Sequence, residues 1–281
     1  MFDTLQIAAY YSIVITCVVI FLAFIVSCER MRYYIKFCFF IFIAATVPTI
    51  SIPFMLLRIR DWRNAIPTAW CLKLGMRLLG VQYHVRGKEN LVQNSGSIVL
   101  INHQSSIDLT VLAELWLLKR KSIVISKKEV MYFGPFGIAI WLWGTIFINR
   151  QKSKEAYNVL NEAGDIVKDS KANLLIFPEG HRHSNSSLMP FKKGAFHTAI
   201  TKQLPIQPIV VSKYYFLNAK QKIFNSGVSY ITILPAISTE NLTLDDLPML
   251  MEKVYECMNT KFSETSEEVL NNHINTLKTK Q

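Results

Sequence analysis

The chain has 281 residues, of which 51% are apolar, so it can form one large domain with a substantial core and a smaller segment beside it. Its cysteines, at positions 17, 28, 38, 71 and 257, show no paired spacing, which excludes a disulfide framework and a zinc knuckle and indicates a reducing compartment. The formal net charge of +11 suits nucleic acid, anionic lipid or phosphorylated substrates.

Two apolar segments near the N-terminus predict a membrane anchor over residues 1–65. The first covers about residues 5–27, close to the roughly 20 residues that a spanning helix needs, and it has neither the basic leader nor the cleavage site of a signal peptide. The second covers about residues 37–57 and contains Pro48 and Pro53, which predict a kinked or re-entrant segment.

Basic side chains flank the second apolar segment on both sides, whereas the extreme N-terminus carries Asp3 and no basic residue. By the positive-inside rule, the first segment is expected to run from the lumen to the cytosol, with the rest of the chain cytosolic. Beside such an anchor, the membrane surface is a better partner for the positive charge than nucleic acid.

Residues 66–281 are predicted to form an α/β domain. Short apolar runs have the length and composition of strands at residues 97–101, 122–125, 173–177, 206–211 and 230–234. Helical patterns lie between several of them, and the clearest helices begin at Ser153 and Thr243. Strands that alternate with helices favour a mostly parallel sheet flanked by helices.

The first polar motif stands where the strand over 97–101 ends. Asn102 and His103 follow the strand, and Asp108 comes five residues after the histidine. If a helix begins near Ser105 or Ser106, Asp108 lies in its first turn and can face the imidazole, fixing its tautomer and raising its basicity. His103 is then a general base at the C-terminal end of a strand, although the same residues could form an ordinary turn with a helix-favouring carboxylate.

A second polar motif follows the strand over 173–177 and contains Glu179, Gly180 and Arg182, with the basic pair Lys192 and Lys193 further along. Arginine binds phosphate oxygens bidentately, lysine acts as a point charge, and glycine allows the backbone to approach closely. A third apolar run ends in an arginine at position 150. Together these residues suit an anionic head group.

In this order the motifs resemble those of the 1-acylglycerol-3-phosphate O-acyltransferase family. Residues 102–108 match its N-H-x-x-x-x-D block, 144–150 its G-x-x-F-I-x-R block, 177–182 its F-P-E-G-T-R block and 204–210 its final proline-valine block. The resemblance covers roughly residues 70–235. His181 replaces a usual threonine and Asn149 a frequent aspartate, which leaves the substrate preference open.

The resemblance implies an enzyme that transfers a fatty acyl group from acyl-CoA to the sn-2 hydroxyl of lysophosphatidic acid, giving phosphatidic acid without a metal or cofactor. His103 would be the base and Asp108 its orienting carboxylate. Arg150, Arg182 and Lys193 would hold the glycerol phosphate, and Glu179 and Gly180 would shape that pocket. The family context also implies an integral protein of the endoplasmic reticulum membrane, with the catalytic domain facing the cytosol.

Other functions remain compatible with the sequence. The acceptor could be another lysophospholipid, or the enzyme could be a CoA-independent transacylase. A metal hydrolase would use His103, Asp108, His181 and His183, although the chain has no H-E-x-x-H motif. A membrane-anchored protein that only binds anionic lipid would explain the charge but not the pairing of His103 with Asp108.

Overall fold

The computed structural model describes residues 7, 11–17, 27–118, 121–149 and 151–279, with the backbone alone at residue 153. The first predicted span, about residues 5–27, lies mostly outside the described residues. Arg150 also lies outside them.

The described part of the chain contains both helices and strands in alternation. Its longer helices are α1 (Glu29–Met55), α2 (Ile66–Leu78), α3 (Asp108–Leu118), α4 (Gly134–Leu142), α5 (Ser153–Ser170), α6 (Lys193–Lys202) and α7 (Leu247–Lys278). Its strands are β1 (Val81–Arg86), β2 (Ser97–Ile101), β3 (Ser122–Lys127), β4 (Ile146–Ile148), β5 (Asn173–Ile176), β6 (Ile206–Val211), β7 (Leu217–Asn218), β8 (Ile223–Phe224) and β9 (Gly227–Ile233).

The main sheet has seven strands in the order β1-β9-β6-β2-β5-β3-β4, while β7 and β8 form a separate antiparallel pair. Neighbouring strands of the main sheet are parallel except at the junction of β6 and β9. The prediction of a mostly parallel sheet flanked by helices is therefore confirmed. Strands β2 to β6 run in one direction, so their carboxyl ends meet at the same edge, where ligands bind in open α/β sheets.

Apolar cores lie on both faces of the sheet, which explains why the central strands are continuous apolar runs rather than alternating ones. In β2, Val99 and Ile101 belong to the core beneath α2, α3 and α4. Ile98 and Leu100 belong to the core beneath α5, α6 and α7. All the residues of β2, β5 and β6 are buried, so these strands form a rigid base for the loops at their ends.

Helix α1 is a single continuous helix of 27 residues that includes Pro48 and Pro53 and begins at Glu29 rather than near residue 37. Near the prolines, the hydroxyls of Thr49 and Ser51 donate to carbonyls one turn earlier. The helix is about 40 Å long and contains an 18-residue window with a mean hydropathy of 2.0, so by length and composition it could cross a membrane. One side of it packs against α2, α4 and β8.

Candidate active site

The first polar motif lies at the carboxyl edge of the sheet, directly after β2. Asp108 is the first residue of α3, two or three residues later than the sequence predicts for the start of that helix. Its side chain faces back toward the turn, and its Oδ2 lies 2.7 Å from His103 Nδ1. Because Nδ1 is paired with the carboxylate, Nε2 is the nitrogen that can exchange a proton with a ligand.

The Asp108 carboxylate is buried and held by several donors. Its Oδ2 accepts hydrogen bonds from the backbone N–H groups of Gln104 at 2.7 Å and Ser105 at 3.0 Å. Its Oδ1 accepts one from the hydroxyl of Tyr214 at 2.8 Å. Burial, and next to it the charge of Asp108, raises the pKa of Tyr214 well above its usual value, so this hydroxyl remains a donor.

The loop after β5 holds His103 from the other side. The ring of Phe177 stacks on the imidazole with 4.0 Å between the ring centroids and 21° between the ring planes. The backbone N–H of His103 donates to Glu179 Oε1 at 2.7 Å, and the His103 carbonyl accepts from the N–H of His183 at 3.2 Å. The first and second polar motifs therefore form one site, because β2 and β5 are parallel neighbours and their carboxyl ends lie side by side.

Glu179 lies inside this loop rather than on the surface of the cavity described below. Its side chain is buried, and its second oxygen accepts from the N–H of Met189 at 2.9 Å and contacts His183 Nε2. Both of its oxygens are engaged by the protein, so its contribution to the pocket is to hold the shape of the loop.

Gly180 and Arg182 belong to the same loop and line the cavity beside His103. Gly180 has a φ of +77°, a backbone conformation that favours glycine, and the Lys192 side chain packs over it, with Cε 2.7 Å from the position of a Cβ. The guanidinium of Arg182 is exposed and donates to the hydroxyl of Ser106. Lys192 thus packs against the loop, whereas the predicted ligand Lys193 begins α6 with an exposed side chain.

A cavity of about 670 Å³ opens beside His103. Its polar end lies at the sheet edge around the amino end of α3, where the lining includes His103, Ser105, Ser106, Lys127, His181 and Arg182. Its apolar end lies further along α3, where Trp116 is about 12 Å along the helix axis from Asp108, and the lining there includes the buried side chains of Leu112, Trp116, Ile140 and Trp143. The cavity can therefore accept an amphiphilic molecule with its polar atoms against the imidazole.

Comparisons with known proteins agree with this geometry. The acyltransferase family model matches residues 82–212, a range that contains the described polar motifs. The human 1-acyl-sn-glycerol-3-phosphate acyltransferase alpha is 36% identical over 236 residues, which are 84% of this chain and 83% of the relative. A Saccharomyces cerevisiae 1-acyl-sn-glycerol-3-phosphate acyltransferase is 40% identical over 195 residues, covering 68% of this chain and 63% of the relative.

This chain belongs to the 1-acyl-sn-glycerol-3-phosphate acyltransferase family. The family membership confirms the resemblance drawn from the four motifs, and it makes the protein an acyltransferase. The crystal structure of PlsC, the 1-acyl-sn-glycerophosphate acyltransferase from Thermotoga maritima, superposes with a TM-score of 0.66. It covers 84% of this chain and 97% of its own at 20% identity, so the two proteins share a fold.

The histidines of this acyltransferase are not arranged as a metal centre. His103 is paired with Asp108, and His183 with Glu179. Within the ranges that the structure describes, no three His, Cys, Asp or Glu side chains are grouped to hold an ion. The metal-hydrolase alternative therefore gains no support from the described residues.

Two residues of the site in this acyltransferase, Tyr214 and Lys127, lie outside the four sequence motifs. Tyr214 follows β6, and its contact with Asp108 joins residues 106 positions apart. Lys127 ends β3 and lines the cavity at the same sheet edge. Both residues could have been found from the strand order, because each follows or ends a parallel strand at its carboxyl end, where ligand-contacting residues collect.

Proposed function

We propose that this acyltransferase transfers a fatty acyl group from acyl-CoA to the sn-2 hydroxyl of lysophosphatidic acid and so forms phosphatidic acid. The main support is the position of the His103–Asp108 pair at the polar end of a cavity whose other end is apolar. The volume of this cavity falls within the roughly 300–1,000 Å³ of small-molecule sites. The names of the human and yeast relatives favour lysophosphatidic acid as the acceptor.

In the proposed reaction, His103 Nε2 takes the proton of the acceptor hydroxyl as its oxygen attacks the thioester carbonyl of acyl-CoA. The tetrahedral intermediate then expels the CoA sulfur, which receives the proton from the imidazolium. Asp108 keeps the imidazole oriented and stabilises its positive charge between the two steps. Both substrates react directly, so no acyl-enzyme is required, and no resident cofactor takes part.

The phosphate of the acceptor would bind at the polar end of the cavity. Arg182 carries a fork of donors that matches phosphate oxygens, and its present partner, the Ser106 hydroxyl, is neutral and readily exchanged for an anion. Lys127 offers a second positive charge at the same end. Arg150 lies outside the described residues, and we retain it as a ligand because β4 ends two residues earlier at this sheet edge.

An acyl chain would occupy the apolar end. This part of the cavity is lined by Leu112 and Trp116 of α3, Ile140 of α4 and the adjacent Trp143, whose ring contacts that of Trp116, and none of these side chains is charged. Burial of each methylene there contributes about 0.8 kcal/mol. Binding of the chain would therefore align the reacting carbonyl or hydroxyl with His103.

Both acyl-bearing substrates associate with lipid, so we propose that the enzyme works at the endoplasmic reticulum membrane with its catalytic domain in the cytosol. Helix α1 is apolar and packs against α4, which borders the cavity. Tyr132, Phe133 and Ile138 are exposed near the same border. Asn185 lies in an exposed N-x-S sequon beside the site, and the finding of a glycan on it in cells would contradict the cytosolic topology.

The experiment measures transfer of labelled oleoyl-CoA in detergent micelles to lysophosphatidic acid, lysophosphatidylcholine or glycerol 3-phosphate. We expect wild-type protein to acylate lysophosphatidic acid and His103→Ala to lose at least about 100-fold in kcat, since general base catalysis contributes roughly 10²–10⁴-fold. His84→Ala is the matched control, because His84 is an exposed residue of the edge strand β1.

Two results would contradict the proposal. Equal turnover by His103→Ala and wild type would remove the mechanism. Transfer from a labelled phospholipid without acyl-CoA, and none from oleoyl-CoA, would identify a transacylase instead.

A further inference from the structure

The hydroxyl of Tyr214 connects the Asp108–His103 pair to the loop after β6. Tyr214 stands three residues after the end of β6. The two oxygens of the Asp108 carboxylate are divided between different partners: Oδ2 lies 2.7 Å from His103 Nδ1, whereas Oδ1 accepts from Tyr214 at 2.8 Å. The tyrosine therefore occupies the oxygen that the histidine leaves free.

A backbone connection fixes the position of Tyr214 relative to His103. The side chain of Asn102, which precedes the histidine, donates to the carbonyl of Val211 at 3.0 Å and accepts from its N–H at 2.7 Å. The amide of Gln104 donates to the carbonyls of Val211 and Ser212. These bonds join the carboxyl ends of β2 and β6 on both sides of His103, so the loop that carries Tyr214 is held in register with the base.

The buried hydroxyl of Tyr214 uses Asp108 as its hydrogen-bond acceptor. The residue is 5% exposed, and its ring lies among the rings of Tyr83 and Phe216. A buried tyrosine hydroxyl needs a partner, and Asp108 supplies it. The same burial raises the pKa of Tyr214 far above neutrality, so the hydroxyl donates at every pH at which a histidine base changes protonation.

We propose that Tyr214 is a positioning residue of the acyl transfer: its hydroxyl holds the Asp108 carboxylate so that the opposite oxygen binds and orients His103. The backbone N–H groups of Gln104 and Ser105 hold only Oδ2, so the hydroxyl of Tyr214 is the donor that fixes Oδ1 and with it the tilt of the carboxylate plane against the imidazole. Loss of this hydroxyl would also leave more negative charge on Oδ2, the oxygen that faces the imidazole. This inference rests on the proposed function, since it assigns Tyr214 a part in that reaction.

The titratable groups around the pair come from several elements. Those near the imidazole come from the loop after β5 and from the end of β3 with the turn that follows it: Glu179, His181, Arg182, His183, Lys127 and Glu129. On the side of Asp108 and Tyr214 lie Tyr83 of β1 and, next to Tyr83, Glu114 of α3. Burial raises the pKa of Tyr83, so it stays protonated at neutral pH, and Tyr214→Phe removes none of these groups. A change in the titration of His103 in such a variant would therefore report the Asp108 carboxylate.

The test compares Tyr214→Phe with Tyr215→Phe in the full chain. The Tyr215 hydroxyl is also bonded inside the protein, accepting from the N–H of Val228 at 3.2 Å, but it has no contact with Asp108. For Tyr214→Phe we expect kcat to fall roughly tenfold, the size of one hydrogen bond to a charged group, with both KM values within about twofold. The acidic limb of the kcat/KM profile should move up by about 0.5–1 pH unit, because the carboxylate then stabilises the imidazolium more strongly.

Tyr215→Phe should match wild type in both respects. An unchanged kcat and an unchanged acidic limb in Tyr214→Phe would overturn the inference, as would the same loss in Tyr215→Phe, which would indicate only a destabilised loop.

A substrate-free measurement separates this inference from the proposed function. The chain has six histidines, so 13C labelling of their imidazoles gives a small set of NMR signals, and His103→Asn identifies the one from His103. In Tyr214→Phe this signal should titrate about 0.5–1 pH unit higher than in wild type. If wild type acylates no lysophospholipid but the shift is present, the proposed function fails while the coupling stands. If wild type acylates lysophosphatidic acid and the shift is absent, the inference fails alone.

Discussion

Replacement of Glu179 distinguishes a residue that shapes the loop from one that binds substrate. In the structure its carboxylate accepts from the N–H of His103 at 2.7 Å and of Met189 at 2.9 Å and contacts His183, all in a buried position. Glu179→Ala leaves both N–H groups without that acceptor. We therefore expect a loss of folding stability together with a loss of kcat, since the backbone N–H of His103 loses its hydrogen-bond acceptor.

The size of the effect follows from those contacts. Each buried N–H left unsatisfied costs about 1–3 kcal/mol, so the two together lower the free energy of unfolding by roughly 2–6 kcal/mol. For a chain of this size that corresponds to a fall in Tm on the order of 10 °C. Glu179→Gln retains one carbonyl oxygen and should lose about half as much.

The assay combines thermal unfolding in detergent at one scan rate with the kinetics of acyl transfer. Glu129→Gln is the matched control, because Glu129 also borders the cavity but is exposed, and its Tm should equal that of wild type. A Glu179→Gln variant with the wild-type Tm and a raised KM for lysophosphatidic acid would refute the structural role. It would indicate instead that the carboxylate contacts substrate.

Three further outcomes are expected. Arg182→Ala should raise the KM for lysophosphatidic acid roughly 10- to 100-fold, the cost of a charged hydrogen bond, and leave that for acyl-CoA within a few-fold; an unchanged KM would remove the phosphate assignment. Leu112→Trp should fill the apolar end of the cavity and lower kcat/KM for oleoyl-CoA at least about tenfold relative to octanoyl-CoA, whereas an equal effect on both donors would place the acyl chain elsewhere. Burial raises the pKa of Tyr83 and Tyr214, so above about pH 10 the unfolded chain loses protons that the folded chain keeps, and stability should fall by up to about 1.4 kcal/mol per pH unit for each tyrosine. Melting curves from pH 9 to 11 check this, and an equally steep fall in Tyr214→Phe would contradict it.

The parts of the site that are local in sequence could be predicted without a structure. His103 and Asp108 are separated by a single turn between β2 and α3, so the order of strand, turn and helix was enough to bring them together. The loop after β5 could be placed beside them because parallel strands share a carboxyl edge. Element boundaries followed less directly from the pattern: α1 begins at Glu29, several residues before the apolar segment that the sequence indicates.

What the sequence by itself determined was the mostly parallel sheet, the family and the His103–Asp108 pair, because periodicity and short motifs encode contacts between near neighbours. The tertiary structure alone decided that β9 pairs antiparallel with β6, that Glu179 supports the His103 backbone and that Tyr214 reaches Asp108. The latter two contacts join residues 76 and 106 positions apart. No local pattern carries such information, since the partners meet only when the strands have taken their order in the sheet.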